Sequence, residues 1–149
     1  MTGTPKYVEW SDSLLVGHPE IDDEHKGIFA FAAALHDIDL VNAPPSAVSD
    51  IICKLVDYAS MHLGHEEELM RVAQYPLISG HSIEHWKFFG HLTEIIDDYE
   101  RGREDVLPKC LAFLTNWLSK HILVNDVQLA EFLRRGPVST IGARRWVVS

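Results

Sequence analysis

The sequence predicts an all-α protein, an up-down-up-down four-helix bundle with an N-terminal arm and a C-terminal extension. Chain breakers at Pro44-Pro45, Tyr75-Pro76, Arg101-Gly102-Arg103 with Pro108, and Gly136-Pro137 leave four long segments. Within each segment the apolar residues recur in steps of three and four, the period of one helix face, and nowhere in the alternation by two that strands require. The 149 residues suit a single domain.

Residues 1 to 20 read as an irregular arm holding Trp10, large enough to close one end of a bundle, and the turn Gly17-His18-Pro19. The first helix, about Ile21 to Val41, gathers Ile21, Ile28, Ala32 and Leu35 on one face together with His25. The second, about Ser46 to Val72, repeats the pattern with Ile52, Leu55, Ala59, His62 and Glu66. The third, about Ser79 to Glu100, aligns His81, His85, Phe88, Leu92, Ile95 and Tyr99, and the fourth, about Asp105 to Leu133, aligns Leu107, Leu111, Leu114, Leu118 and His121. Ser46 and Ser79 are the expected N-caps, Pro108 fits only a first helical turn, and Gly136-Pro137 is a stop. Short connections make sequential helices antiparallel neighbours. The organisation expected is one unit over 1–149: arm 1–20, bundle 21–133 and basic tail 134–149.

Composition narrows the function classes. With 46% hydrophobic and 23% charged residues the chain can bury a core, which disfavours disorder. No apolar run reaches the roughly 18 residues of a membrane span. The polar start Met1-Thr2-Gly3-Thr4-Pro5-Lys6 lacks the pattern of a signal sequence, so no membrane span and a cytoplasmic address are expected. A net charge of −9 argues against nucleic acid, whose phosphates would go unneutralised. Residues 1–133 carry nine basic and 22 acidic residues, a net of −13, whereas the tail holds Arg134, Arg135, Arg144 and Arg145 and no acid. Because Ile141, Trp146, Val147 and Val148 add apolar surface, the tail is expected to fold back on the acidic bundle or dock to a partner, with Trp146 as anchor. Cys53 and Cys110 are too few and too far apart for a disulfide framework or a CxxC pair, and both are expected as small buried residues.

The chemistry lies in the histidines, nine in all. In His62-x-x-x-Glu66 and His81-x-x-x-His85 the partners stand one helical turn apart, so each pair projects from one face toward a common region. His25 and His121 add an inward imidazole on the first and fourth helices. Asp126 follows His121 by five residues, about 140° further round an ideal helix. It therefore reaches the centre only from an edge or through a local distortion. A single inward histidine is ordinarily a hydrogen-bonded core residue. Five of them with two carboxylates would cost on the order of several kcal/mol per unpaired charge. Cations at the centre would turn the same groups into partners. His65, three residues after His62, points to a neighbouring face and is expected to be solvated or capping. Glu67 and Glu68 are expected to be exposed, with either in reach of an imidazole. His18, His36 and His91 have no ligand-spaced partner and suit surface or loop roles, and Phe29, Phe31, Phe88 and Phe89 suit the core.

The stretches Ile21-Asp22-Asp23-Glu24-His25-Lys26, His62-Leu63-Gly64-His65-Glu66-Glu67-Glu68-Leu69-Met70, His81-Ser82-Ile83-Glu84-His85 and Trp117-Leu118-Ser119-Lys120-His121, with Asp126, resemble the hemerythrins over roughly residues 7 to 133. The likeness is greatest to the single-domain bacteriohemerythrins. The resemblance implies a non-haem di-iron centre with an oxo or hydroxo bridge, in which His25, His62, His81, His85 and His121 are terminal ligands and Glu66 and Asp126 bridge. It further implies that His81, His85 and His121 serve one iron and His25 and His62 the other, which is left one ligand short. That open position would take dioxygen, and by resemblance Trp117 and Leu118 lie beside it. The implied function is reversible dioxygen binding for storage, delivery or sensing by a monomer that is not an enzyme, with room for a protein partner in delivery. Five imidazoles against two carboxylates fit this better than the Glu-rich, Glu-x-x-His sites of oxygen-activating bundles. A di-iron oxidase, peroxidase or nitric-oxide-handling enzyme, or iron sequestration, is the alternative on the same scaffold. Two departures stand out: Leu63 replaces a phenylalanine common after the second-helix histidine, and the tail beyond Leu133 has no counterpart in the shortest members.

Overall fold

The computed structural model describes residues 9–38, 42, 44, 46–103 and 105–135. After a short 3-10 turn at Asp12–Leu14 come α1 (Pro19–His36), α2 (Ser46–Ala73), α3 (Ile78–Glu100) and α4 (Val106–His121). A π turn, Ile122–Asp126, then leads into α5 (Val127–Arg135). No strand occurs among the described residues. α1 packs against α2 and α4, and α3 against the same two, so four helices in up-down-up-down order enclose one core.

Local chemistry explains the boundaries. α1 starts at Pro19, where a missing N–H is harmless, and the His18 Nδ1 accepts from the Ile21 N–H at 3.3 Å. His18, expected in a surface or loop role, stands in the turn before α1 and caps it. The buried Asp22 carboxylate accepts the N–H groups of Val16 at 2.8 Å and Gly17 at 3.2 Å, tying the arm to the first helical turn. Gly17 makes this possible with φ +93°, a left-handed conformation that glycine adopts without steric cost. In the arm, Trp10 meets Phe29 edge-on at 5.7 Å, beneath the Lys26 amine.

Two expected boundaries move. α1 ends at His36, not near Val41, with the Asp37 N–H closing the last turn onto Ala33. Ser79, the expected cap, lies inside α3, which opens at Ile78 after Leu77 without a side-chain cap. The tight end of α2 accounts for this: Gln74 takes φ +56° and the Tyr75 N–H returns to the Met70 carbonyl at 2.9 Å. This Schellman-type closure buries Tyr75 and lets the next helix begin early. Ser46 is likewise the first residue of α2, while Pro108 sits in the first turn of α4 as predicted.

The predicted stripes form the core. Ile21, Ile28 and Leu35 of α1 meet Leu55 and Ala59 of α2, Phe88 and Leu92 of α3, and Leu111 and Leu114 of α4, all buried. Phe31 and Phe89 are only partly buried, against the edge of that core. Cys110 is buried as expected, but Cys53 is exposed because it follows Ile52 by one position and so faces away from the bundle. Leu55 is fully enclosed, and Leu55→Ala is expected to cost about 2–5 kcal/mol, read as a lower urea midpoint with unchanged m.

Among the described residues no helix is long and apolar enough to cross a membrane. Arg134 and Arg135, expected at the head of the tail, are the last residues of α5 and pair with Glu131 at 3.6 and 3.0 Å. The expectations for residues 136–149, including docking through Trp146, lie outside the described residues.

Candidate metal centre

Every helix of the bundle delivers a potential ligand to one point. His25 comes from α1, His62 and Glu66 from α2, His81 and His85 from α3, and His121 from the end of α4; with Asp126, all seven are buried, none more than 4% exposed. The i,i+4 pairs converge because their helices are regular. Asp126 arrives by another route. Between His121 and Asp126 the helix widens into a π turn, closed by the Val127 N–H to the Ile122 carbonyl. The wide turn absorbs one extra residue, so the fifth position returns to the face of His121 rather than a third of the way round. Of the two routes that the spacing left open, an edge position or a local distortion, the π turn is the second.

The side chains divide into two groups, and the two oxygens of each carboxylate divide with them. In the first, the Nε2 of His81 lies 3.2 Å from Glu66 Oε1 and 3.0 Å from Asp126 Oδ1. The His85 Nε2 lies 3.1 Å from Glu66 Oε1 and 3.2 Å from the His121 Nε2, which is 3.1 Å from Asp126 Oδ1. In the second, the His62 Nε2 is 2.8 Å from Glu66 Oε2 and the His25 Nε2 is 2.8 Å from Asp126 Oδ2. Within each group one atom from every residue lies within 4.8 Å of all the others. Donors at about 2.1 Å around an octahedral ion stand about 3.0 Å apart along an edge, so the spacing fits.

Orientation supports the same fit. His25 Nε2, Glu66 Oε2 and both Asp126 oxygens are buried without a hydrogen bond, although His25 and Asp126 stand 2.8 Å apart. Atoms this close yet misaligned for hydrogen bonding are directed at shared points in space. The facing Nε2 atoms of His85 and His121 would likewise need a proton between them, or a cation beside both. The donor set therefore fits metal.

Electrostatics describes the cost without metal. Burial opposes charge on His62, but Glu24 and Glu66 outweigh it and push its pKa up to about 10. His81 is driven up to about 9, burial being overcome by Asp126 and Glu66, and His25 rises on Asp126 and Glu66. Burial alone would raise the carboxyls of Glu66 and Asp126; the surrounding imidazoles hold both below the usual range. Protons thus stand in for cations.

A carboxylate lies behind one imidazole in each group. Glu67 Oε2 is 3.0 Å from His85 Nδ1, an outcome the sequence left open for this half-exposed residue. Glu24, which sequence reasoning missed, accepts from His62 Nδ1 at 2.7 Å through one oxygen and from His65 Nδ1 at 2.8 Å through the other. His65 is thus not a cap and only partly solvated: its side chain, 28% exposed, rests against α1. No local spacing signals this contact, because Glu24 lies 38 residues before His62. The general need of a ligating imidazole for an outer partner would have flagged it. Glu68 is exposed and pairs with Arg71, and His91 is exposed, as expected. His36 is less so, its ring beside Asp37.

Next to the two-histidine group is a small cavity lined by Ile28, Ala59, Leu63, Phe88, Trp117 and Leu118, with His25, His62, His121 and Asp126 on its polar side. About 10 Å³ is open to the centre of a water-sized molecule, the scale of one small ligand. Trp117 and Leu118 both line it. The Trp117 ring stacks on His121 at 4.3 Å and 12° and leans on Phe88 at 4.6 Å. Leu63, the departure from the common phenylalanine, is also part of the wall.

Fold and site together define a four-helix bundle with a buried histidine–carboxylate centre able to hold metal. Residues 16–133 match the hemerythrin HHE cation-binding domain, and the chain belongs to that family. It is 32% identical over 122 residues to a bacteriohemerythrin of Stenotrophomonas maltophilia, covering 82% of this chain and 78% of that one. A bacteriohemerythrin of Pseudomonas aeruginosa is 31% identical over 128 residues, covering 86% and 82%. A crystal structure of wild-type hemerythrin superposes with TM-score 0.76 at 27% identity, covering 85% of this chain and 97% of that one.

Proposed function

We propose that the protein binds dioxygen reversibly at a pair of non-haem iron ions. His81, His85 and His121 would hold one ion, His25 and His62 the other, and Glu66 and Asp126 would be shared. The observation that carries this reading is the partition of each carboxylate between a three-imidazole and a two-imidazole group, with an apolar cavity beside the smaller one. When bound, iron supplies the electrons that reversible oxygen binding draws on.

The chain's own residues set the outcome. Ile28, Ala59, Leu63, Phe88, Trp117 and Leu118 offer a gas no acidic proton apart from the indole N–H, and they exclude water from the smaller group. Five neutral imidazoles against two carboxylates favour a carrier over an enzyme, since additional anionic ligands would stabilise higher oxidation states. Trp117 holds His121 by stacking and so keeps one wall of the cavity in register with the centre. The reading extends to a cytoplasmic monomer that stores, delivers or senses the gas: the address rests on the sequence composition, the rest on the family.

The test is to load the protein with ferrous iron without air, admit oxygen, then remove it. A visible band that appears with the gas and disappears on its removal is expected. Irreversible conversion to a ferric form, or turnover with a co-substrate, would overturn the carrier reading. Leu118→Phe, which pushes a bulkier side chain into a cavity of about 10 Å³, is expected to slow oxygen association by about tenfold or more in stopped flow while leaving metal content unchanged.

A further inference from the structure

The contact between α1 and α2 carries a second layer of design that rests on the di-metal reading above. Glu24 is flanked by two imidazoles, each taking one of its oxygens: His62 Nδ1 at 2.7 Å and His65 Nδ1 at 2.8 Å. An ionised carboxylate only accepts, so both rings donate Nδ1–H. With Nδ1–H committed to Glu24, Nε2 is the atom of His62 left for a cation in the centre, and it lies 2.8 Å from Glu66 Oε2. The Glu24 side chain is 16% exposed and that of His65 28%, so the pair is sheltered but not sealed. Gly27 permits this close approach of the two helices, because a Cβ there would collide with the Tyr58 ring of α2.

The two halves of the centre are supported unequally. In the two-imidazole half His25 Nδ1 is buried without a hydrogen bond, so His62 is the imidazole with a carboxylate behind it. The three-imidazole half has Glu67 behind His85, but that side chain is 43% exposed. The half with fewer protein ligands therefore has the more sheltered outer carboxylate, gripped at both oxygens.

We propose that Glu24, held in place by His65, is a positioning residue that fixes the tautomer and orientation of His62 and thereby sets how tightly the two-histidine half retains its ion. His65 acts through Glu24 and not as a ligand. The chemistry is that of an outer carboxylate on a ligating histidine, whose loss typically weakens metal binding about 10–100-fold. Glutamine at position 24 carries no charge and accepts through one oxygen only, so it can no longer take an Nδ1–H from both rings.

The test is anaerobic titration of the full-length apoprotein with cobalt(II) against a chelator, followed by visible absorption and calorimetry, with far-ultraviolet circular dichroism to verify the fold. Wild type is expected to take up two ions. Glu24→Gln is expected to weaken one of them by about 10–100-fold and leave the other unchanged. In a His62→Ala background the same substitution is expected to have no further effect, since its path to the metal is gone. His65→Ala, at the outer end of the pair, is expected to give a smaller loss, severalfold, at the same ion and serves if the position-24 variant does not fold. Equal weakening of both ions, no weakening in either single variant, or an additional loss in the His62→Ala background would overturn the proposal. A wild type that binds fewer than two ions would instead remove the di-metal reading on which it stands.

Discussion

Glu66→Ala is expected to leave the protein unable to retain either metal ion after gel filtration and to abolish any oxygen-dependent visible band. The carboxylate sits at the join of the two groups, 2.8 Å from the His62 Nε2 on one side and 3.1 Å from the His85 Nε2 on the other. Its removal takes one donor from each half and leaves the remaining imidazoles facing a void. In the metal-free protein the same change strips raised-pKa histidines of a counter-charge with no solvent to replace it. Removing one partner of a buried ion pair costs about 3–5 kcal/mol, so a fall in melting temperature of about 10 °C is expected by calorimetry. Glu67→Ala is the comparison. Its side chain is 43% exposed and touches one ligand from behind, so it should retain both ions and lose little stability. Equal behaviour of the two variants would refute the bridging placement of Glu66.

Removal of the metal is expected to lower stability and also to reverse its dependence on pH. A ligand present at a thousand times its dissociation constant stabilises the native state by about 4 kcal/mol, or about 10 °C or more for a domain of this size. In the loaded protein acid competes for the ligands, and below about pH 5 protonation should release metal and stability together. In the metal-free protein His62 and His81 titrate at about 10 and about 9 when folded, against 6.5 when unfolded. Between those limits the folded state binds more protons than the unfolded one, so stability falls with rising pH. The contribution of the two imidazoles is complete below pH 6.5 and lost through 9 to 10. Glu66 and Asp126 are depressed, so their contribution is present above about pH 4 and lost as pH falls further. Melting curves at pH 6, 8 and 9.5 should therefore show the apoprotein weakening while the loaded form holds. An apoprotein whose melting temperature rose over that range would contradict the charged cluster.

The legibility of this protein follows the range of its interactions. The helices, their inward faces and the pairs His62–Glu66 and His81–His85 were readable because a helix places positions three and four apart on one face whatever surrounds it. Pro108 and the breakers marked connections for the same local reason. Tertiary packing decided the rest. Asp126 stands at a spacing that an α-helix turns away from the centre, and only the π turn, held where α4 and α5 both bury their apolar faces, returns it. Glu24 meets His62 and His65 because α1 and α2 lie side by side, which no spacing along the chain encodes. Ser79 lost its capping role to a turn closed by the burial of Tyr75, and Cys53 faced outward because helix phase outranks residue type. The sequence by itself determined which side chains a bundle must bury and that they required a charge to accompany them. The structure alone decided how the carboxylate oxygens are shared between two groups, because that depends on the relative placement of four helices and one widened turn.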